Sequence, residues 1–168
     1  MTAQRIFVPR ETSAISLGAD DVAEKLRALL AKSGSKAKIV RNGSWGMCWL
    51  EPLVEVETGK GRIAYGPVTP NDVESLVAAD LIKGGKHPLR LGPTEEISWL
   101  ARQQRWTFAR CGLIDPLDIN EYRAHGGFDG FEKALAAGAS AVVEMVTASG
   151  LRGRGGAGFP AGIKWQTV

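Results

Sequence analysis

Six glycines fall within the 13 residues 150–162, and no other stretch is so restricted in what it can become. Glycine tolerates positive φ and lets the backbone approach a ligand closely, but it weakens helices and strands. The segment 150–165 therefore reads as a loop. Gly153, Gly155 and Gly158 match G-x-G-x-x-G. The dinucleotide fingerprint, however, needs a strand before it and a helix after it, and residues 140–148 carry helical rather than strand spacing. A P-loop needs Gly-Lys-Ser/Thr, and Lys164 lies between Ile163 and Trp165. What remains is a loop whose successive N–H groups can form an anion-binding nest. Arg152, Arg154 and Lys164 add positive charge suited to phosphate, and Phe159 and Trp165 offer flat faces for a ring system. A flexible linker is the alternative reading, but linkers seldom carry Phe, Trp and Pro beside their glycines.

The rest of the chain is that of an ordinary globular protein. Its 168 residues are 44% hydrophobic and 23% charged, which excludes collagen-like, coiled-coil and mostly disordered chains. The net charge of +3 is spread over interspersed acids and bases, so a nucleic-acid-binding surface is not expected. Two cysteines, Cys48 and Cys111, are too few for a disulfide framework. With no secretory signal visible, a reducing cytoplasm is the expected location. No apolar run approaches the roughly 20 residues of a membrane helix.

Residues 4–8 read as a strand stopped by Pro9. A helix is expected from about Asp21, with Asp21 and Glu24 at capping-box spacing and Val22, Leu26, Leu29 and Leu30 on its apolar face. Residues 37–40, 53–56 and 62–65 read as strands, the last two joined as a hairpin through Thr58-Gly59-Lys60-Gly61. Thr69-Pro70-Asn71-Asp72 opens a second helix with Val73, Leu76 and Val77 inward. The order over the first 85 residues is β-α-β-β-β-α. Residues 83–88 break regular structure and suggest a boundary. A helix is expected over 93–108, started by Thr94-Glu95-Glu96, and no strand is expected after residue 90. Shorter helices follow near 119–125, 130–137 and 140–148, with Asp118/Glu121 and Asp129/Glu132 as start signals and Gly150 as a left-handed cap. Cys48 and Cys111 read as partly buried small apolar residues. His87 and His125 read as surface or hydrogen-bonded structural residues.

The run GLRGRGGAGFPAGIKW resembles the flavin-binding signature of the NADH-oxidising flavoprotein subunit of respiratory complex I. Related subunits are the β (diaphorase) subunits of NAD-dependent formate dehydrogenases and bidirectional hydrogenases. Arg110-Cys111-Gly112-Leu113-Ile114-Asp115-Pro116 and residues 121–128 resemble an upstream part of the same flavoprotein. The resemblance implies that Gly153, Arg154, Gly155, Gly156 and Lys164 contact FMN, with Lys164 also reaching the nicotinamide side. It implies that Gly158 and Phe159 serve NADH, with Phe159 stacking on the adenine. It names no catalytic acid or base and no metal ligand here. FMN and NAD(H) are the implied cofactors, and a [4Fe-4S] cluster is expected only further along such a subunit.

Residues 43–54 and 65–70 resemble the second half of a thioredoxin-like [2Fe-2S] ferredoxin. Laying its Cys-x4-Cys and Cys-x3-Cys pairs on this chain puts Pro9, Ala14, Ser44 and Cys48 at the ligand positions, with Gly18 matching the glycine after the first pair. One thiolate of four cannot hold the cluster. The expected fold is therefore α/β: a degenerate, cluster-less thioredoxin-like domain over 1–85, a linker over 86–110, and over 111–168 the mostly helical, incomplete start of a complex I-type FMN/NADH-binding domain. A thioredoxin-like domain ahead of the flavoprotein implies the formate dehydrogenase β subunit. Its expected partners are a [2Fe-2S] thioredoxin-like subunit and a molybdenum- or tungsten-containing catalytic subunit. The matching subunit of a hydrogenase or complex I, or an inactive subunit-docking fragment, are the alternatives.

Overall fold

The computed structural model describes residues 4–168. They form two compact units, one ending at Glu121 and one spanning Tyr122–Val168. In chain order the elements of the first are β1 (Arg5–Phe7), α1 (Thr12–Ser16), α2 (Ala19–Lys32), β2 (Lys38–Val40), β3 (Val54–Thr58), β4 (Gly61–Tyr65), α3 (Val73–Ala78), β5 (Arg90–Pro93) and α4 (Ser98–Ala101). After α5 (Ile119–Ala124) come α6 (Asp129–Ala137), α7 (Ala139–Ala148) and α8 (Ala161–Gln166).

The five strands make one sheet in the order β2-β1-β3-β4-β5. β1 and β2 are parallel, joined through α1 and α2, and the remaining pairs are antiparallel. This is a thioredoxin-like α/β arrangement. Alternation along the strands sends Ile6, Val54, Val56, Ile63 and Tyr65 to one face. There they meet Val22, Leu26 and Leu30 of α2 and Val73 and Leu76 of α3 in the main core. The predicted hairpin is present, with Thr58 opposite Gly61. The predicted cap of the second helix is present too. The Thr69 N–H and Oγ1 both donate to Asp72 Oδ2, at 2.8 and 2.6 Å, and Pro70 follows at the first helical position.

Other expectations fail for local reasons. The Asp21/Glu24 capping box does not form, because the chain leaves α1 through Gly18 at φ +96° and enters α2 two residues before Asp21. The helix expected over 93–108 is a 3-10 turn at Thr94–Glu96 and the single turn α4, separated by Ile97 in an extended conformation. β5 corrects the expectation of no strand past residue 90, pairing Gly92 with Ala64 and Pro93 with Ile63. Residues 86–110, read as a linker, thus supply the sheet's fifth strand and bury Leu100 against Met47, Leu53 and Ala64. Asp118 caps α5, accepting from the Asn120 and Glu121 N–H groups. Asp129 instead is the first residue of α6, whose N-cap position, Phe128, makes no side-chain cap hydrogen bond.

The second face of the sheet is organised by a charge. Phe7, Glu55 and Ala64 stand in register across β1, β3 and β4, and the Glu55 side chain has no solvent exposure. Glu55 Oε2 accepts from Trp45 Nε1 at 2.9 Å and Asn42 Nδ2 at 3.2 Å, and Oε1 accepts from Thr94 Oγ1 at 2.8 Å. Arg62 lies 3.6 Å away, over the Phe7 ring. Its Nη1 and Nη2 donate to the Gly112 and Leu113 carbonyls at 2.9 and 2.6 Å. Burial raises the Glu55 pKa, opposed by Arg62 and the three hydrogen-bond donors.

Removing one partner of a buried charge pair typically costs about 3–5 kcal/mol, so Glu55→Ala is expected to lower unfolding stability by that order. A carboxyl with a folded pKa above its unfolded value binds more protons in the folded state, and its contribution falls as pH rises through that window. The stability of the natural chain relative to Glu55→Gln should therefore decline as pH rises from the ordinary carboxylate range, then level off. Thermal midpoints of the two proteins over a pH series check this.

Candidate functional site

The glycine-rich segment is a closed loop between α7 and α8. α7 is capped by Ser149, and Gly150 turns the chain at φ +65°. Arg152 and Pro160 then form an antiparallel bridge. The Gly153 N–H donates to the Phe159 carbonyl at 2.9 Å and the Ala161 N–H to the Leu151 carbonyl at 2.8 Å. These contacts make a neck, above which Gly156 and Gly158 have φ of +119° and +58°. A Cβ built on Gly155 or Gly156 meets no atom within 4 Å. Gly156 requires glycine for its backbone conformation, whereas Gly155, outside the positive-φ region, does not. Among the described residues no acceptor faces the N–H groups of Arg154, Gly155, Gly156 and Ala157.

α8 is set by a close approach. A Cβ on Gly162 would lie 2.6 Å from Thr147 Cα, so only glycine lets α8 cross α7 there. This places Lys164 Nζ 5.7 Å from the centre of the Phe159 ring, which is itself 46% exposed. Gly153, Arg154, Gly155, Gly156, Gly158, Phe159 and Lys164 are thus all on one loop and the helix that follows it. Trp165 departs from expectation. It lines an apolar groove of about 410 Å³ with Leu135, Val142 and Val143 of α6 and α7, away from the loop tip. Arg152 departs as well: its Nε donates to the Gly158 carbonyl at 2.5 Å, inside the loop. An open row of N–H groups, flanked by Arg154, Lys164 and an exposed aromatic ring, fits a phosphate-bearing ring cofactor.

The ferredoxin ligand positions do not fit a cluster. The two segments do converge, with Ser13 Oγ 3.9 Å from Cys48 Sγ. Ala14, however, is fully buried in the main core, and Ser44 Oγ donates to Glu51 Oε1 at 2.8 Å. Glu11 accepts from the Ser13 and Ala14 N–H groups and caps α1. Cys48 is exposed rather than partly buried: it opens a 3-10 turn, Cys48–Leu50, of which Leu50 is the residue that packs against the second cluster of the core. Cys111 is exposed too. Among the described residues no group of three or more His, Cys, Asp and Glu is placed to hold a metal. His87 is hydrogen-bonded, as expected: Nδ1 accepts from the Leu89 N–H at 3.2 Å, and Nε2 lies 3.0 Å from Ser75 Oγ. The acceptor role of Nδ1 leaves the proton on Nε2, so this pair is not a base-activated serine.

Reconstitution with iron and sulfide should therefore give no stoichiometric [2Fe-2S] absorbance, and metal analysis of the purified protein checks it.

No family model matches the chain. It is 52% identical over 64 residues to HndC, a component of the NADP-reducing hydrogenase of Solidesulfovibrio fructosivorans, covering 38% of this chain and 13% of that protein. It is 41% identical over 92 residues to an NADH-quinone oxidoreductase component of Streptomyces coelicolor, covering 55% of this chain and 18% of that protein. The chain thus spans less than a fifth of the length of either. Among solved structures, the wild-type thioredoxin-like [2Fe-2S] ferredoxin from Aquifex aeolicus aligns at TM-score 0.45 and 21% identity, over 55% of this chain and 99% of that one. An NAD+-reducing [NiFe]-hydrogenase aligns at TM-score 0.40 and 19% identity, over 98% of this chain and 27% of that one. The chain is homologous to the N-terminal part of HndC and of the NADH-quinone oxidoreductase component, both of them pieces of oxidoreductase complexes. Among the described residues no helix is long and apolar enough to cross a membrane.

Proposed function

We propose that this chain forms the N-terminal part of a flavoprotein subunit that passes electrons between NAD(H) and iron–sulfur clusters through FMN, within a multisubunit complex of the cytoplasm. The observation that carries this is the closed glycine loop with its row of unengaged N–H groups beside Arg154, Lys164 and Phe159. When bound, FMN supplies the exchange between a hydride and single electrons, and the protein supplies position and electrostatics. The N–H groups of residues 154–157 bind the cofactor's phosphate, Arg154 and Lys164 add charge, and Phe159 offers its exposed face to the nicotinamide nucleotide. A [4Fe-4S] cluster belongs to a later part of the subunit.

The complex we assign is an NAD-linked formate dehydrogenase, with a molybdenum- or tungsten-containing catalytic subunit and a [2Fe-2S] thioredoxin-like subunit as partners. The thioredoxin-like unit lacking cluster ligands, ahead of the glycine loop, supports this. A second reading, the equivalent subunit of a hydrogenase, is favoured by the 52% identity to HndC. NAD+ reduction by the purified complex with formate or with hydrogen separates the two. Reduction by hydrogen alone overturns the formate assignment.

In the complete subunit, Gly156→Val should abolish FMN binding and NADH oxidation together. A β-branched residue cannot adopt the φ of +119° found there. Lys164→Ala should keep the loop and weaken FMN binding about tenfold to a hundredfold, the worth of one charge-assisted contact. Flavin content and NADH-dependent dye reduction are the measurements. Full flavin retention in Gly156→Val would sink the assignment of this loop to FMN.

A further inference from the structure

The geometry points to Arg152 as a positioning residue that holds the glycine loop closed and fixes the peptide plane on which Phe159 is carried. The consequence for cofactor binding rests on the FMN reading above, whereas the clamp itself does not.

Arg152 stands in one arm of the neck and Pro160 in the other. The backbone bonds at Gly153 and Ala161 tie the two arms together, but nothing in them fixes the peptide between Gly158 and Phe159. Gly158, at φ +58°, has no side chain to restrict it, and a glycine in that region rotates freely. The Arg152 guanidinium removes this freedom. Its Nε reaches across the neck to donate to the Gly158 carbonyl at 2.5 Å. A cation donating to a carbonyl makes a charge-assisted bond, stronger than a neutral one. A Cβ on Gly158 would lie 3.7 Å from this Nε, an ordinary contact. Glycine is thus required there for its φ, not for room.

Two consequences follow from peptide planarity. In a trans peptide the carbonyl and the next N–H point in opposite directions. Turning the Gly158 carbonyl toward Arg152 therefore turns the Phe159 N–H away from it and sets the direction in which the Phe159 side chain leaves the backbone. The same bond occupies a carbonyl that would otherwise be free to face an anion in the loop. A nest binds anions only where N–H groups, not carbonyl oxygens, converge. Arg152 and Arg154 are therefore not equivalent cations. Arg154 sits at the open tip, where no contact holds it among the described residues, whereas Arg152 acts through the backbone.

Hydrogen exchange of the 168-residue chain tests the clamp without any cofactor. Arg152→Gln should speed exchange of the Gly153 and Ala161 amides by about tenfold to a hundredfold, the loss of one charge-assisted bond. The α7 amides, an internal reference for folding, should not change. Arg152→Lys keeps a cationic donor and should give an intermediate effect, and Arg154→Gln should leave these two amides unchanged. In the complete subunit, Arg152→Gln should weaken FMN binding by a similar factor and raise the KM for NADH. Unchanged exchange in Arg152→Gln overturns the clamp. Faster exchange with FMN affinity and KM both unaltered overturns its role in positioning. If the natural complete subunit binds no FMN, the functional reading fails, and the exchange data still judge the clamp by themselves.

Discussion

A carboxylate without solvent exposure sits at the middle of the sheet, and the first unit is built around satisfying it. An isolated ionised group in an apolar interior is prohibitively costly, so such a group is retained only with partners. Glu55 draws those four partners from three separate parts of the chain. Asn42 follows β2, Trp45 lies in the long connection to β3, Thr94 follows β5, and Arg62 is in β4. Each partner secures its own segment in turn. Arg62 and Asn42 both donate to the Gly112 carbonyl, and Gly43 donates to the Ile114 carbonyl at 3.2 Å. Residues 112–114 are thereby laid over the face of the sheet that alternation alone would leave to solvent.

Glycine at 112 is what allows this closure. Its φ is +83°, and a Cβ there would come within 2.2 Å of the Trp45 ring. The indole must lie flat on the backbone at this point to present its Nε1 to Glu55. A larger residue at 112 would move Trp45, and Glu55 would lose a donor. Arg62 cannot serve as a simple replacement, because its guanidinium is already divided between Glu55, two carbonyls and the Phe7 ring. Polar satisfaction and backbone conformation are thus coupled within one contact.

This coupling explains what the sequence reveals and what it hides. The main core was legible because Val22, Leu26 and Leu30 repeat at helical spacing and the strand residues alternate, and both patterns come from local geometry. The hairpin at Thr58–Gly61 and the Thr69/Asp72 cap are local chemistry and were legible for the same reason. β5 was not, because Arg90-Leu91-Gly92-Pro93 contains two residues that disfavour strands. It forms only because β4 offers an edge. Thr94 looks like a helix start but gives its hydroxyl to Glu55, a residue 39 positions away. In the loop, the glycines and cations were visible, while the division of labour between Arg152 and Arg154 was not. It depends on which arginine lies in the neck, and that is decided by the bridge to Pro160.

The approach of Ser13 to Cys48 follows from the packing of the main core. α1 and the 3-10 turn at Cys48 come within 3.9 Å of each other, and Ala14, beside Ser13 in α1, is part of the main core. A thiolate at position 14 would have to leave the core to reach a metal, whereas alanine adds to it. Ser44, at another ligand position, donates to Glu51, and Glu51 Oε2 in turn accepts from the Leu53 N–H at 2.9 Å at the start of β3. Burial raises the Glu51 pKa, and the Leu53 and Ser44 donors oppose that rise. The connection into the sheet is thus held by a hydrogen-bonded carboxyl.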